Sequence, residues 1–112
     1  MNDGKQAVRT FVYYEGASDA RFDRDFYTNH HLPLCLDSWG RYGLQSARAF
    51  YAADGAAGTL VICECIFRDE EALQAAFASP ETRAVMADVP RFTDLTPIRT
   101  RPVPMDPFPS VD

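Results

Sequence analysis

Alternating and β-branched apolar positions predict four strands along the chain. Residues 8–14, Val-Arg-Thr-Phe-Val-Tyr-Tyr, are rich in β-branched and aromatic side chains and predict the first strand. Residues 44–51 and 59–67 predict the second and third strands, and the glycine-containing stretch 52–58 between them is typical of a hairpin. A fourth strand is predicted at residues 96–100, after the last loop.

Apolar residues spaced three and four positions apart predict helices between these strands. The first helix runs from about Ala20 to His31, with Phe22 and Phe26 on one face that points into a core. Proline lacks an amide hydrogen and disfavours helical geometry in the residue before it. Pro33 therefore predicts the end of this helix, at a turn.

The second helical region is predicted in two parts. Acidic residues 69–71 open the first part, where the helix dipole favours negative charge. Ser79 at a cap and Pro80 at the first helical position then predict a new start. The second part runs to about Asp88 and ends before Pro90.

The order strand–helix–strand–strand–helix–strand predicts an α+β, ferredoxin-like βαββαβ fold, with helices on one face of a four-stranded antiparallel sheet. Such a sheet is normally polar on its open face. The third strand is apolar on both faces except at Glu64, so a second copy of the chain is predicted to cover it. The sequence thus predicts a homodimer through the sheet face. Glu64 is expected to lie in a cleft or to pair with an arginine across that interface.

Size and composition restrict the class of protein. With 112 residues, 46% of them hydrophobic, the chain is expected to form one folded domain, with a flexible segment at 1–7, the domain at 8–101 and a proline-rich extended tail at 102–112. A net charge of -5 without basic runs disfavours nucleic acid as a partner. No signal peptide or membrane-spanning apolar run is recognisable, which predicts a cytoplasmic protein with no membrane partner.

The three cysteines, Cys35, Cys63 and Cys65, do not match the spacing of a zinc site, and their number is odd. They are predicted to be reduced thiols, and no metal ligand is predicted. Cys35 follows the histidine pair closely and is either a reactive thiol or a small buried apolar residue.

Both histidines of the chain lie at the end of the first predicted helix. His31 is four residues after Tyr27, which places an imidazole beside a phenol on one helix face. His31 is the candidate acid or base. The alternative is a helix-terminal histidine that caps backbone carbonyls. His30 points elsewhere around the helix and is expected at the surface.

Two separate motifs resemble the EthD family, named for ethyl tert-butyl ether degradation. The first is Tyr27-x-x-x-His31-x-Pro33-Leu34, preceded by Phe22-Asp23-x-Asp25. The second is Ala87-Asp88-Val89-Pro90-Arg91-Phe92-Thr93-Asp94, where Arg91 replaces the usual asparagine. The resemblance covers roughly residues 9–101. It implies a dimeric α+β barrel, with a small-molecule cleft in each monomer towards which His31 points.

Further site residues follow from these motifs. Asp94 is expected either to pair with His31 and fix its tautomer or to cap the loop before the last strand. Tyr27 is expected either to hydrogen-bond a ligand or orient His31, or to be a half-buried tyrosine. Four aromatic residues are candidates for a ligand pocket, with ordinary core packing as the alternative: Tyr13, Trp39, Tyr51 and Phe92.

Two function classes remain open. No glycine-rich phosphate loop or metal cluster is present in the sequence, so no cofactor is predicted. The first hypothesis is a cofactor-free isomerase, cyclase, decarboxylase or monooxygenase that acts on a hydrophobic or aromatic metabolite, with His31 as acid or base. This hypothesis rests on analogy with the family's wider group. The alternative is a non-catalytic accessory protein that binds such a metabolite or stabilises a pathway partner.

Overall fold

The computed structural model describes residues 6–102 and contains one four-stranded antiparallel sheet. The strands are β1 (Val8–Gly16), β2 (Leu44–Tyr51), β3 (Gly58–Phe67) and β4 (Ile98–Thr100). Their order across the sheet is β2-β3-β1-β4, so the two central strands are β3 and β1. The predicted α+β ferredoxin-like fold is confirmed.

The helices follow the predicted order and differ in their bounds. The first helical region is continuous and consists of α1 (Arg24–Phe26), a π-helical segment (Tyr27–His31), α2 (Leu32–Trp39) and a 3₁₀ turn (Gly40–Tyr42). The second consists of α3 (Glu70–Ala78), α4 (Glu81–Asp88) and a 3₁₀ turn (Val89–Arg91). Among residues 6–102, none of these helices is both long and apolar enough to cross a membrane.

The prediction that Pro33 ends the first helix is wrong. In a regular α-helix the proline ring clashes with the carbonyl four residues earlier, and proline has no amide hydrogen to donate. Here the Leu32 N–H donates to the carbonyl of Tyr27, five residues back, which widens the helix into a π turn. Pro33 then occupies the first turn of α2, where proline is tolerated.

The predicted break between the two parts of the second helical region is present. Ser79 closes α3, because its hydroxyl donates to the Ala76 carbonyl at 2.6 Å and its N–H donates to the same oxygen. Pro80 stands immediately before α4. Ser79 has an extended backbone and Pro80 already has helical dihedral angles, so the second part begins at the predicted serine–proline pair. The Ser79 carbonyl accepts from the Thr82 N–H at 3.2 Å, while its hydroxyl bonds back to α3.

The two faces of the sheet have different surroundings. The helices cover the face that carries the buried β3 residues Val61, Cys63, Cys65 and Phe67. On the opposite face Phe50 is 50% exposed and Ile62 is 37% exposed. Glu64 on this face lies 3.4 Å from Arg9 of the same chain, so it has an arginine partner without crossing an interface.

The two predicted terminal segments lie largely outside the described residues. This applies to residues 1–5 of the predicted flexible N-terminus and to residues 103–112 of the predicted proline-rich tail.

Candidate functional site

The π-helical segment places Tyr27 and His31 side by side in the interior. Tyr27 is 2% exposed and His31 is 5% exposed. Their rings are stacked, with centroids 5.5 Å apart and an interplanar angle of 18°. Phe92 packs against both rings, and its centroid lies 4.7 Å from that of His31. His31 therefore has a fixed orientation and does not end a helix, which removes the basis for the carbonyl-capping alternative.

Asp88, the last residue of α4, is the carboxylate at His31. Its Oδ2 lies 2.9 Å from Nδ1 of His31, and both side chains are buried. The same oxygen lies 3.3 Å from Nδ1 of His30, while Arg91 donates to Oδ1 at 3.3 Å. His30 is half exposed, as expected, and stacks on the ring of Phe26. Asp88 is not among the site residues predicted from the sequence.

The expected pairing of Asp94 with His31 is not found in the structure. Oδ1 of Asp94 instead accepts from Arg21 at 2.9 Å, and the Asp94 side chain is 79% exposed. The preceding residue, Thr93, is the buried one, and its hydroxyl donates to the Arg21 carbonyl at 2.7 Å. Asp88 lies six residues earlier in the same sequence block, at the end of α4 and two residues before Pro90. This position is the signal that could have made it a second candidate beside Asp94.

Ionisation of the pair follows from its burial. The pKa of His31 lies below its usual value because burial disfavours the charged ring, and the Asp88 carboxylate only partly opposes this. Burial would raise the pKa of Asp88, but hydrogen bonds and charge from His31 and His30 hold it below its usual range. At neutral pH the pair is therefore a neutral imidazole beside a carboxylate. The carboxylate accepts from the Nδ1–H, which leaves the Nε2 lone pair available as a base.

His31 lines a cavity of about 430 Å³ between the sheet and the helices. Such a volume falls in the usual range for small-molecule sites. The wall is largely apolar, with contributions from β1, β3, α2, α3 and α4; among its members are Val12, Leu32, Phe77, Val85, Met86 and Val89. The arrangement can hold a hydrophobic molecule against a buried base.

Two tyrosine hydroxyls belong to the polar part of the wall. Tyr14 and Tyr27 both line the cavity and are almost fully buried. Burial, reinforced by neighbouring thiols, raises the pKa of each phenol above its usual value. Both phenols therefore stay protonated at neutral pH and can serve as hydrogen-bond donors rather than as bases.

One of the four aromatic residues predicted to form a pocket lines this cavity. Trp39 is part of the wall, and its indole N–H donates to the Thr82 hydroxyl at 3.0 Å. Tyr13 lies on the opposite face of the sheet, in register with Ile62. Tyr51 packs beside the cavity with its hydroxyl 2.8 Å from that of Thr28. Phe92 is fully buried behind His31, so it holds the ring and is not a wall residue.

All three cysteines line the cavity as free thiols. Burial raises the pKa of Cys35 to about 12, which keeps this thiol protonated and favours the buried apolar interpretation over the reactive one. The Sγ atoms of Cys63 and Cys65 are 3.8 Å apart on one face of β3. Within residues 6–102 there is no group of three histidine, cysteine or acidic side chains arranged to hold a metal ion.

Comparison with solved structures agrees with this fold. An EthD-like protein from Ralstonia eutropha JMP134 is similar, with a TM-score of 0.74 and 20% identity over 86% of this chain and 89% of that chain. An ethyl tert-butyl ether degradation (EthD) family protein from Bacillus halodurans C-125 has a TM-score of 0.61 and 23% identity, over 88% and 100%. SnoaB, a cofactor-independent oxygenase from Streptomyces nogalater, has a TM-score of 0.58 and 12% identity, over 92% and 99%.

Comparison by sequence gives the family. No curated protein matches the chain. The model of the EthD domain matches residues 15–96, which is more than half of the 112 residues and includes both motifs that carry the resemblance. The chain therefore belongs to the EthD family.

Proposed function

We propose that this EthD family protein binds a hydrophobic or aromatic small molecule in the cavity and removes a proton from it with His31, without a cofactor. The observation that supports this proposal is the buried His31–Asp88 pair on the wall of an apolar cavity. A neutral imidazole oriented by a carboxylate is the usual form of a general base in an enzyme.

The proposed step is proton transfer from an acidic C–H or O–H of the ligand to Nε2 of His31. The electron pair of the broken bond stays on the ligand as an enolate or phenolate. Asp88 stabilises the imidazolium that forms, and the Tyr27 hydroxyl donates a hydrogen bond to the new oxyanion. The anion can then be reprotonated at another atom, close a ring or react with oxygen, which are the isomerase, cyclase and monooxygenase alternatives. In the decarboxylase alternative His31 removes the proton of a carboxyl O–H, the bond between that carboxylate and its neighbouring carbon breaks with loss of carbon dioxide, and the electron pair of this bond stays on the ligand as an enolate, which the imidazolium reprotonates.

The likeness to SnoaB supports cofactor-free chemistry in this fold, since that protein is a cofactor-independent oxygenase. The alternative function, a non-catalytic protein that binds a hydrophobic metabolite, uses the same cavity. The two functions differ in whether His31 transfers a proton, so the experiment has to measure proton transfer separately from binding.

A generic proton-transfer substrate tests the base directly. In 5-nitrobenzisoxazole, a base removes the C–H proton, the N–O bond breaks, and a coloured cyanophenolate is released. We expect the wild type to catalyse this reaction, and His31→Gln to lower kcat/KM at least about 100-fold, which is the usual contribution of a general base. His30→Gln is the matched control, because His30 is half exposed and is not part of the cavity wall.

The outcomes separate the two functions. Equal rates for the wild type and His31→Gln contradict the role of His31 as a base. If calorimetry then shows that the wild type still binds naphthols and that Met86→Trp, which puts a larger side chain into the cavity wall, weakens binding, the protein is a binding protein without proton transfer. If neither catalysis nor binding is detected, the cavity is not a functional site.

We also propose that the chain forms a homodimer through the open face of the sheet. Large apolar side chains on this face remain exposed in the single chain, and exposed apolar patches of this kind mark interfaces. The exposed apolar residues on this face are Phe50, Ile62 and Ile98, and the partly buried Tyr13 lies in register with both Ile62 and Ile98.

Sedimentation velocity tests this interface. The wild type is expected to sediment as a dimer, and Phe50→Glu as a folded monomer, because the substitution puts a charge into the apolar contact. Leu36→Glu is the matched control: Leu36 is 39% exposed, but it lies on α2, away from this face. A monomeric wild type, or a dimer that survives Phe50→Glu, contradicts the proposal.

A further inference from the structure

The wall of the cavity carries one permanent charge, and it is positive. Arg99, the middle residue of β4, pairs with Val12 in the sheet register, and both line the cavity. No other residue of the wall carries a permanent charge, since His31 is neutral at neutral pH and the rest are apolar, hydroxyl-bearing or thiol side chains. Asp88 lies behind His31 and is not a wall residue, so the cavity has no acidic side chain of its own.

Arg99 has no acidic partner among residues 6–102, although the chain is acidic overall. Six other described arginines each lie within 4 Å of a carboxylate: Arg9, Arg21, Arg41, Arg68, Arg91 and Arg101. The Arg99 guanidinium instead lies over the ring of Phe77, 4.1 Å from the centroid. Stacking of this kind fixes the plane of the guanidinium and leaves its N–H edge available for hydrogen bonds.

Arg99 and His31 occupy different parts of the cavity wall. Around His31 the rings of Tyr27 and Phe92 are in contact with the imidazole. Phe77, beneath Arg99, packs against Trp39 and Phe67. Among the described residues no ring pair joins these two groups, although both border the same space. A ligand that reaches both Arg99 and His31 therefore extends along the cavity.

We propose that the ligand is an elongated, largely apolar carboxylic acid, bound at its carboxylate by Arg99 with its reactive C–H or O–H at His31. This inference rests on the proposed function and specifies the class of substrate. A planar guanidinium matches a carboxylate through two parallel hydrogen bonds, which gives both affinity and orientation. Anchoring one end of the molecule would hold the other end at a fixed position against the base.

A matched pair of probes tests the charge requirement. The acid 6-hydroxy-2-naphthoate and its amide, 6-hydroxy-2-naphthamide, have nearly the same shape and differ in charge. By calorimetry we expect the wild type to bind the acid about 10-fold more tightly than the amide, or better, and Arg99→Gln to bind both equally. Arg101→Gln is the matched control: Arg101 lies two residues after Arg99 and pairs with Glu70, so this substitution removes the same charge from outside the cavity wall. It should keep the preference for the acid.

Each outcome is decisive. If the wild type binds acid and amide equally while His31→Gln abolishes turnover of the benzisoxazole, the carboxylate inference is wrong and the proposed function stands. If neither probe binds and the wild type shows no proton transfer, the proposed function fails, and the inference fails with it. A preference for the acid that persists in Arg99→Gln, or that disappears equally in Arg101→Gln, also overturns the assignment. The wild-type comparison decides the charge requirement even if Arg99→Gln does not fold.

Discussion

Replacing Asp88 with asparagine tests the core of the site with little change of shape. The carboxylate is 5% exposed and accepts from His31 at 2.9 Å, with longer contacts to the half-exposed His30 and Arg91. A hydrogen bond with a charged partner contributes roughly 1.5–3 kcal/mol and a neutral one about 0.5–1.5 kcal/mol. Asparagine can keep one neutral bond to His31. We therefore expect Asp88→Asn to lower the free energy of unfolding by about 1–2 kcal/mol.

The same substitution should affect proton transfer through His31. Asparagine can donate its amide N–H to Nδ1, which favours the tautomer with the hydrogen on Nε2, where the base must be free. We expect the rate with 5-nitrobenzisoxazole to fall roughly 10²- to 10⁴-fold, as when the aspartate of a catalytic triad is replaced by asparagine and the imidazole takes the wrong tautomer. The carboxylate also raises the pKa of His31 against the effect of burial, so its loss should move the midpoint of the pH–rate profile to lower pH.

Asp94→Asn is the matched control, because Asp94 is the acid that the sequence suggested as the partner of His31. Its side chain is 79% exposed and bonded to Arg21, so the substitution should leave the rate, the pH midpoint and the melting temperature unchanged. The measurements are denaturant unfolding and the pH–rate profile of all three proteins. Equal effects of the two substitutions, or a reduced rate in Asp88→Asn with an unmoved pH midpoint, would refute the assignment of Asp88 as the positioning residue.

Three further outcomes are expected. Gly43→Ala should lower the free energy of unfolding in urea by about 2–5 kcal/mol, because Gly43 has φ +119° and an added Cβ would lie 2.5 Å from the Cβ of Ala72. Gly40→Ala is the control: an added Cβ there meets no atom within 4 Å, so this substitution should be neutral or slightly stabilising. The melting temperature should fall as the pH drops below about 6.5, because His31 is then protonated in the unfolded chain and not in the folded chain. In His31→Gln the melting temperature should depend less on pH in this range. A disulfide reagent should react slowly with Cys35 in the folded protein and fast in guanidinium, because burial raises the pKa of that thiol to about 12. Fast reaction of Cys35 in the folded protein would contradict its burial.

The elements of the fold were predictable because their signals are local. β2 has the predicted bounds, Leu44–Tyr51, and the break between α3 and α4 falls at the predicted serine–proline pair. The end of the first helix was not predictable in this way. Proline normally breaks a helix, and the π turn that accommodates Pro33 leaves no trace in the spacing of apolar residues.

The membership of the site depends on tertiary packing, which the sequence does not encode locally. Tyr13 and Tyr14 are neighbours on a strand with apolar residues on both faces, so the pattern could not tell which face the helices cover; Tyr14 lines the cavity and Tyr13 does not. Asp88 and Asp94 lie in one short block, and either could have reached His31. Only the packing of α4 against the first helical region selects Asp88.

The π turn also has a consequence for the length of the chain. A π turn corresponds to an α-helix with one residue inserted. Deleting one residue, such as Asn29, would rotate α1 relative to α2 by about 100°, which is the rotation per residue of an α-helix. Tyr27 could then not pack in the interior while Leu32 and the rest of α2 kept their places on the sheet. A substitution within this segment changes one side chain of the site, whereas deletion of Asn29 would remove the Tyr27 ring from its stacked position beside His31.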